Sequence, residues 1–233
     1  ISMFPAKGAL LIFAHRVNSV VINRCRKPAN ADILVPGDTV CVIGTTSTRV
    51  PYEECDHLKV TPDEVDLLLT EGAKLAPCLA ETRVLRAYAG VRPLVSADND
   101  PSGRNISRGI VCLDHESRDG IKGFISITGG KLMTYRLMGE MAADAVCKKL
   151  GRDAKCVTAD TPLPGSEPGG IEEISKKIWE VPTMVQKASV GRFGTQAAKL
   201  DFDGDVKGSL VCECEEVSVS EVDSAIENLE VNN

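Results

Sequence analysis

The sequence predicts an α+β protein in which an antiparallel sheet with a covering helix comes first, a strand-and-helix unit follows, and a helical region comes last. Three observations predict this order. Short β-rich runs begin the chain, a strongly capped helix follows them, and a pair of glycines later joins an apolar strand to a second long helix. With 233 residues, of which 43% are hydrophobic, the chain can bury one large core or two modest ones.

The antiparallel sheet is predicted from β-rich runs at residues 9–15, 18–23 and 39–45. Turn-prone residues separate these runs, so neighbouring strands should reverse direction and form a meander. A further strand is predicted at 84–88, after the helix.

The covering helix has clear start signals. Thr61 is the predicted N-cap, Pro62 occupies the first helical position, and Glu64 stands three residues after the cap. Leucine and valine side chains recur downstream at roughly helical spacing, which gives the helix an apolar face toward the sheet.

The most informative unit surrounds Gly129-Gly130-Lys131. An apolar strand at 124–128, paired with a preceding strand across a polar turn, enters the two glycines, and a helix is predicted from 132 to 150. Backbone N–H groups at a helix start carry partial positive charge and can meet an anion or the electron-rich edge of a ring. A plain tight turn is the structural alternative.

Two arginines stand at strand ends. Arg92 is followed by Pro93, which fixes the exit of the chain from its strand, and Arg108 stands just before the next strand. A guanidinium group is a planar fork that suits phosphate. Taken singly, each arginine favours the interpretation as a solvated or structural charge over that as a ligand-binding residue.

Composition excludes several function classes. The net charge of −6, without runs of like charge, gives no electrostatic footprint for nucleic acid or an anionic membrane. No apolar stretch approaches the roughly 20 residues that span a bilayer. The nine scattered cysteines predict reduced cytosolic thiols, with Cys212 and Cys214 as a close pair.

These motifs occur in the order and approximate spacing of the FAD-dependent glycerol-3-phosphate dehydrogenases. The chain resembles the carboxyl-side part of the catalytic subunit of the anaerobic type. The segments that carry the resemblance are 43–46, 89–94, 106–108, 129–136 and 161–165.

The resemblance implies a flavoprotein in which FAD lies between a dinucleotide-binding domain and an antiparallel substrate domain. It divides the chain into a substrate-binding sheet and helix at 1–95, the closing strands and helix of the FAD-binding domain at 96–151, a linker and helical region at 152–205, and the start of a [2Fe-2S] module at 206–233. No GxGxxG follows a strand in this chain, so the resemblance places that element upstream, and we expect the chain alone to bind FAD weakly and to be inactive.

The resemblance also implies site residues. Arg92 and Arg108 would hold the phosphate or polar end of glycerol 3-phosphate, with Lys131 beside the substrate and the flavin. Backbone groups facing the isoalloxazine ring would come from Gly129, Gly130, Leu132 and Met133.

No general base is assigned from the sequence. Some family members have a histidine where this chain has Leu10, and His15 would point to the opposite face of a regular strand. His57 and His115 lie in polar contexts and are expected to be surface histidines.

Cys212-Glu213-Cys214 is similar to the start of a [2Fe-2S] module of the bacterioferritin-associated ferredoxin type. A cluster normally needs four ligands, so the resemblance places the other pair beyond Asn233. A helix expected to be capped by Ser220 follows the pair and favours the module. The alternative is two thiols on one face of a short strand.

The function implied is oxidation of sn-glycerol 3-phosphate to dihydroxyacetone phosphate, with electrons passing from FAD toward a quinone through partner subunits. The protein would be cytoplasmic and docked on the inner membrane by another protein. Two alternatives stay open: a flavoprotein acting on another hydroxy acid or an amine, and a docking or electron-transfer module without its own catalysis.

Overall fold

The computed structural model describes residues 3–95, 109–204 and 206–228. The chain divides into two compact units, the first comprising residues 1–36 and 41–159 and the second comprising residues 37–40 and 160–233. Helices and antiparallel strands occur together in each unit, so the predicted α+β class is confirmed.

Within the described residues, six strands form an antiparallel sheet in the first unit. They are β1 (Met3–Phe13), β2 (Ile22–Asn23), β3 (Ile33–Pro36), β4 (Cys41–Gly44), β5 (Thr48–Arg49) and β6 (Val84–Val95). Strands β2, β3 and β4 form a meander that differs from the predicted one, because β3 lies between β2 and β4, and β1 lies between β4 and β6 rather than beside β2. The strand takes this central place because its side chains are buried on both faces from Phe4 to Ala9.

Two features of this sheet differ from the sequence prediction. Strands β3 and β5 were not predicted, because each is only a few residues long and lies among turn-forming residues. Strand β6 continues well beyond residue 88, since its pairing with β1 runs from Val84 opposite Phe13 to Val95 opposite Met3.

The predicted covering helix is confirmed as α1 (Pro62–Leu75). Thr61 caps it, and the capping box with Glu64 is complete: the Thr61 hydroxyl accepts from Glu64 N at 3.3 Å and the Glu64 carboxylate accepts from Thr61 N at 3.0 Å. Leu68 is fully buried and packs into the main core of the sheet with Leu11 and Ile43.

The strand–glycine–helix unit is also present. Strands β7 (Val111–Asp114) and β8 (Ile125–Thr128) pair antiparallel, and between them lies a short helix, α2 (His115–Asp119), where a plain polar turn was predicted. After the glycine pair, a 3-10 turn at Leu132–Thr134 leads into α3 (Tyr135–Lys149). The predicted helix at 132–150 therefore begins with a tighter turn.

The second unit is mainly helical. It contains α4 (Ile171–Ile178), α5 (Met184–Phe193), a 3-10 turn (Gly194–Lys199), the hairpin strands β9 (Leu210–Cys212) and β10 (Val217–Ser218), and α6 (Val219–Asn228). Ile174, Val190 and Ala197 form its buried core. Pro182 lies between α4 and α5, where the helical region is interrupted.

The N-cap of α6 was predicted too late in the chain. Ser218, not Ser220, caps the helix: its hydroxyl accepts from Glu221 N at 3.2 Å, and the Glu221 carboxylate accepts from Ser218 N at 2.7 Å. Sequence pattern alone could not choose between two serines so close together, because both precede the apolar face.

Two glycines of the second unit touch each other. Gly165, the last residue of the proline-rich segment, is buried, and a Cβ added at Gly194 would lie 1.7 Å from its carbonyl oxygen. A Cβ added at Gly165 would lie 2.3 Å from the carbonyl oxygen of Phe193. Both glycines have positive φ, so neither position accepts a side chain.

Among the helices in the described residues, none has the length and apolar character that a bilayer crossing requires.

Candidate functional site

A cavity of about 470 Å³ lies in the first unit between the end of β6 and the glycine turn that follows β8. Its volume falls in the range of roughly 300–1,000 Å³ that is typical of ligand sites. The residues that line it are Val91, Arg92, Pro93, Leu94, Val95, Gly129, Gly130, Lys131 and Leu132. Five of the seven residues predicted to bind substrate or flavin thus line one cavity.

Of the other two residues predicted to bind substrate or flavin, only Met133 is among the described residues. Met133 follows the lining residue Leu132 in the 3-10 turn but does not line the cavity itself. Arg108 lies outside the described residues.

The guanidinium of Arg92 is held against the neighbouring strand. Nη1 donates to the carbonyl oxygen of Lys7 at 3.4 Å, and Nη2 donates to the carbonyl oxygen of Thr46 at 3.3 Å and to the Thr45 hydroxyl. These acceptors come from β1 and from the segment after β4. The side chain is therefore fixed by backbone that the sheet itself places.

Gly8 makes this position of Arg92 possible. A Cβ added at Gly8 would lie 2.3 Å from Nη2 and 2.8 Å from Cζ of Arg92, so the guanidinium occupies the space that a side chain would fill. The glycine opposite in the sheet register, Gly90, has nothing within 4 Å of its added Cβ. Of this pair of opposite glycines, only Gly8 must therefore lack a side chain.

A buried ion pair lies behind the Arg92 acceptors. Lys7 Nζ contacts Glu64 Oε2 at 2.8 Å and donates to the Lys59 carbonyl oxygen at 2.9 Å. The Lys7 and Glu64 side chains are only 10% and 12% exposed. The other carboxylate oxygen, Glu64 Oε1, accepts from the Thr46 hydroxyl at 3.0 Å.

The environment of Glu64 favours its charged form. Burial alone would raise the pKa of Glu64, but hydrogen bonds from Lys7, from the Thr61 N–H and from the Thr46 hydroxyl outweigh burial and lower the pKa from its ordinary value. The Glu64 carboxylate therefore stays ionised at neutral pH.

The glycine turn is shaped by its own chain. Gly129 and Gly130 have φ of 81° and 70°, which disfavours any other residue. A Cβ added at Gly129 would lie 2.0 Å from the Gly109 carbonyl oxygen, and one added at Gly130 would lie 2.7 Å from the Thr134 hydroxyl. Packing within the chain thus accounts for both glycines.

The backbone N–H of Lys131, at the start of the 3-10 turn, is bonded within the chain, because it donates to Thr134 Oγ1 at 2.9 Å. The side chains beyond it are open: Leu132 and Met133 are 90% and 82% exposed, and Lys131 is exposed.

Residues 1–136 match the family described as FAD dependent oxidoreductase. The chain belongs to this family. It is 61% identical over 233 residues to a subunit of the anaerobic glycerol-3-phosphate dehydrogenase of Haemophilus influenzae, a match that covers 100% of this chain and 41% of that protein. The corresponding protein of Escherichia coli strain K12 is 60% identical over 232 residues, which cover 100% of this chain and 43% of the relative.

A more distant relative comes from the same kind of enzyme in Haloferax volcanii. It is 39% identical over 227 residues, covering 96% of this chain and 38% of the relative. The chain therefore spans about two fifths of the length of these relatives, and the resemblance inferred from the motifs is confirmed.

The cavity of this FAD dependent oxidoreductase suits part of a flavin. Backbone groups of the glycine turn and the apolar Val91, Leu94 and Leu132 line it, and Arg92 and Lys131 add positive charge. A flat aromatic ring with polar edges is the kind of ligand that such a mixed wall accommodates.

The three histidines of this chain lie away from the cavity lining. His15 and His57 are exposed, but the expectation for His115 is wrong, because it is buried. Its Nδ1 lies 2.5 Å from Asp119 Oδ2, its Nε2 lies 2.9 Å from Ser126 Oγ, and its ring contacts Phe124. His115 joins α2 to β8, and no histidine or acidic residue is among the described residues that line the cavity.

The cysteine pair lies in the second unit. Cys212 ends β9 and Cys214 lies in the turn before β10, so the two thiols do not share one face of a strand. Within residues 3–95, 109–204 and 206–228, no three His, Cys, Asp or Glu side chains are grouped so that they could hold a metal ion. The pair can supply two ligands at most.

The turn that carries Cys214 is held by Arg192 of α5. Arg192 Nη1 donates to the Glu215 carbonyl oxygen at 2.8 Å, and Nη2 donates to the Glu216 carbonyl oxygen at 2.9 Å. The same guanidinium forms two hydrogen bonds with the carboxylate of Glu221, of 2.7 and 2.9 Å.

Sequence reasoning missed the residues around Arg92. Lys7 and Gly8 lie far from Thr46 and from Glu64 in the chain, and each of the four has an ordinary local interpretation as a strand, loop or capping residue. The sequence offered one signal, which is a lysine within an apolar strand. A lysine that is buried in such a strand requires a hydrogen-bonding or charged partner.

Proposed function

We propose that the chain is the carboxyl-side part of a flavin-dependent dehydrogenase that oxidises sn-glycerol 3-phosphate to dihydroxyacetone phosphate. The observation that supports this most is the convergence of Arg92, Lys131 and the Gly129–Gly130 backbone on one cavity. The names of the relatives point to the same substrate.

Arg92 and Lys131 bind the phosphate end of the substrate in this proposal. Two cations on one cavity give a local positive field in a chain whose net charge is −6, and a phosphate dianion is the ligand that such a field selects. Arg108 acts with them by its place in the family motif. Their task is orientation, because a phosphate held at one end fixes C2 of the substrate at the other.

The glycine turn and the residues after it face the cofactor. Gly129, Gly130 and Leu132 present backbone from the cavity wall, and Met133 adds an exposed apolar side chain. When bound, FAD would supply the acceptor for the hydride of C2, and the hydroxyl proton of C2 would go to a base that is not assigned. Lys131 and Arg92 supply positive charge beside the ring.

Electrons then pass toward a quinone through partner subunits, and Cys212 and Cys214 supply two of four ligands to a [2Fe-2S] cluster. The relatives are named as subunits of a larger enzyme, which supports the existence of partners. The protein is cytoplasmic and docks on the inner membrane through one of them. The proposed domains are 1–95 for substrate, 96–151 for FAD, 152–205 as linker and helices, and 206–233 for the cluster.

The decisive experiment is the substitution Arg92→Ala in the complete polypeptide that carries this chain. With glycerol 3-phosphate and an artificial electron acceptor, kcat/KM should fall by roughly two orders of magnitude. This corresponds to a loss of about 3 kcal/mol in transition-state stabilisation, as expected when a charged hydrogen-bonding partner is removed. Arg86→Ala is the matched control, because Arg86 is exposed on the same strand. Equal kinetics for both variants would refute the assignment.

The role of the phosphate is tested with the same variants. A dehydrogenase of this kind should prefer glycerol 3-phosphate to glycerol in the wild type and lose that preference in Arg92→Ala. Turnover of another hydroxy acid or an amine, without dependence on phosphate, would instead support the alternative substrates.

The cluster is tested by its iron content. Cys212→Ser in the complete polypeptide should lower bound iron and acid-labile sulfide, whereas Cys25→Ser, at an exposed cysteine of the first unit, should leave both unchanged. Iron retained at the wild-type level in Cys212→Ser would exclude that ligand.

A further inference from the structure

The position of the Arg92 guanidinium depends on two chain segments. Its acceptors are the carbonyl oxygen of Lys7 in β1 and the hydroxyl and carbonyl oxygens of residues 45 and 46 after β4. A shift of either segment moves the acceptors and with them the guanidinium. Whatever holds these two described segments together therefore contributes to where Arg92 lies in the cavity.

One carboxylate holds both segments. Glu64 Oε2 contacts Lys7 Nζ at 2.8 Å, and Glu64 Oε1 accepts from the Thr46 hydroxyl at 3.0 Å. The same Thr46 hydroxyl accepts from the backbone N–H of Ala9 at 2.9 Å, which ties the loop to β1 a second time. Glu64 thus connects the N-terminus of α1 to the backbone that Arg92 contacts.

Burial makes this connection stiff. Thr46 is 2% exposed, and the Lys7 and Glu64 side chains are nearly as enclosed. Hydrogen bonds and charges out of contact with water are stronger and exchange partners less easily than those on the surface. The arrangement of Glu64, Lys7 and Thr46 is accordingly a fixed one.

Helix capping alone does not require a carboxylate here. In α5, Gln186 completes the same capping box with Thr183, its side-chain oxygen accepting from Thr183 N at 2.8 Å. A neutral residue is therefore sufficient for that task in this chain. The charge at Glu64 meets a further need, which is to hold Lys7 in a buried site.

We propose that Glu64 is a positioning residue for Arg92, acting through Lys7 and Thr46 to fix the guanidinium for a phosphate-bearing ligand. This inference rests on the proposed function, since it takes Arg92 to bind the phosphate. Glu64 does not itself line the cavity.

The test is equilibrium binding of dihydroxyacetone phosphate and of dihydroxyacetone to the complete polypeptide, measured by calorimetry. In Glu64→Gln, affinity for the phosphate-bearing ligand should fall about tenfold, within the range by which a single network residue modulates a distant contact. Affinity for the phosphate-free ligand should be unchanged. A general loss of structure would instead weaken both ligands equally and would overturn the proposal.

Glu71→Gln is the matched control. Glu71 lies on the same helix and is also ion-paired, with Arg24 at 2.7 Å, and its side chain is 18% exposed against 12% for Glu64. It makes no hydrogen bond to residues 7, 45 or 46 among those described, so phosphate discrimination should persist. Equal loss of discrimination in the two variants would refute a specific role for Glu64.

Thr46→Val separates positioning from folding. It removes the hydroxyl that joins Glu64 to the loop, and with it the hydrogen bond from Ala9 N–H, but leaves the Lys7–Glu64 pair in place. Should Glu64→Gln not fold, Thr46→Val should still lower affinity for dihydroxyacetone phosphate several-fold with dihydroxyacetone unaffected. Wild-type discrimination in Thr46→Val would overturn the proposal.

The Arg92→Ala variant distinguishes the proposed function from the positioning role of Glu64. In that background Glu64→Gln should cause no further loss, because the group that it positions is gone. If Arg92→Ala keeps full discrimination for phosphate, the proposed function fails. If Arg92→Ala loses discrimination but Glu64→Gln keeps it, the proposed function stands and the positioning role fails.

Discussion

The two units use the same local device with different cations. In the first unit Glu64, the third residue of α1, completes a capping box and pairs with Lys7. In the second unit Glu221, the third residue of α6, caps its helix through Ser218 and pairs with Arg192. Each glutamate thus joins a helix start to a cation from elsewhere in its own unit.

The difference lies in how many groups each cation reaches. The Lys7 ammonium contacts the Glu64 carboxylate and the carbonyl oxygen of Lys59. The planar Arg192 guanidinium contacts both oxygens of Glu221 and two consecutive carbonyl oxygens of the cysteine turn. The lysine ammonium is sufficient to join a strand to a helix, whereas the several N–H donors of the arginine guanidinium are needed to hold a whole turn.

The largest effect expected from this comparison is on stability. Arg192→Met leaves the Glu221 carboxylate, which is only 4% exposed, without its cation, and should cost about 3–5 kcal/mol of unfolding free energy. Lys7→Met removes fewer contacts and should cost less. Urea denaturation, with amide exchange followed in α1 and α6, measures both.

Lys187→Met provides the control for these two variants. Lys187 pairs with Glu172 at 2.8 Å, but the Glu172 side chain is 64% exposed, so the change should cost under about 1 kcal/mol. A cost for Arg192→Met no larger than this would show that the Arg192 pair is not a structural centre of the second unit.

The second prediction separates positioning from stability in the first unit. Gly8→Ala places a methyl group where Arg92 Nη2 now lies, so the guanidinium must move and affinity for dihydroxyacetone phosphate should fall about tenfold. Gly90→Ala, on the residue opposite, meets open space and should leave affinity unchanged. Calorimetry on both variants of the complete polypeptide would decide, and equal affinities would contradict the placement of Arg92.

The smallest expected effect is on the pH dependence of stability. Burial alone would raise the pKa of Glu64 and of Glu221, but hydrogen bonds from Lys7 in one case and Arg192 in the other outweigh it and lower each pKa below 4.5. At pH values between the folded and the unfolded pKa of each glutamate, the unfolded chain therefore binds more protons than the folded chain. The stability that each ion pair contributes is lost as the pH falls through the folded pKa.

Glutamine substitutions measure this contribution. Glu64→Gln and Glu221→Gln should each flatten the fall in unfolding free energy that occurs as the pH falls through the lowered pKa of the folded carboxylate. Urea denaturation at several pH values checks this, and an unchanged slope in the two variants would contradict the ion-pair assignment.

Local sequence was sufficient wherever a structure depends on neighbouring residues. Thr61, Pro62 and Glu64 define the start of α1 by capping chemistry alone, and the glycine pair after β8 was recognised from its type and place. The convergence of Arg92 and Lys131 on one cavity was also predicted, though from a family resemblance.

What the sequence could not predict depends on long-range pairing. The length of β6 follows from its register with β1, about eighty residues earlier, and the burial of Lys7 and His115 follows from partners that local patterns do not identify. Local sequence would place a lysine side chain and a histidine in a polar segment at the surface. In the folded chain, both Lys7 and His115 are buried instead.

The contact between Gly165 and Gly194 changes the meaning of the proline-rich segment that ends at Gly165. The residues at 161–164 are exposed, so insertions or protease cleavage should be tolerated there. Gly165 itself is fastened by backbone contact, and its replacement cannot be compensated by a smaller partner, because its partner is already glycine. In a saturation mutagenesis library, positions 165 and 194 should therefore reject every substitution, singly and in combination, beside four neighbours that accept most of them.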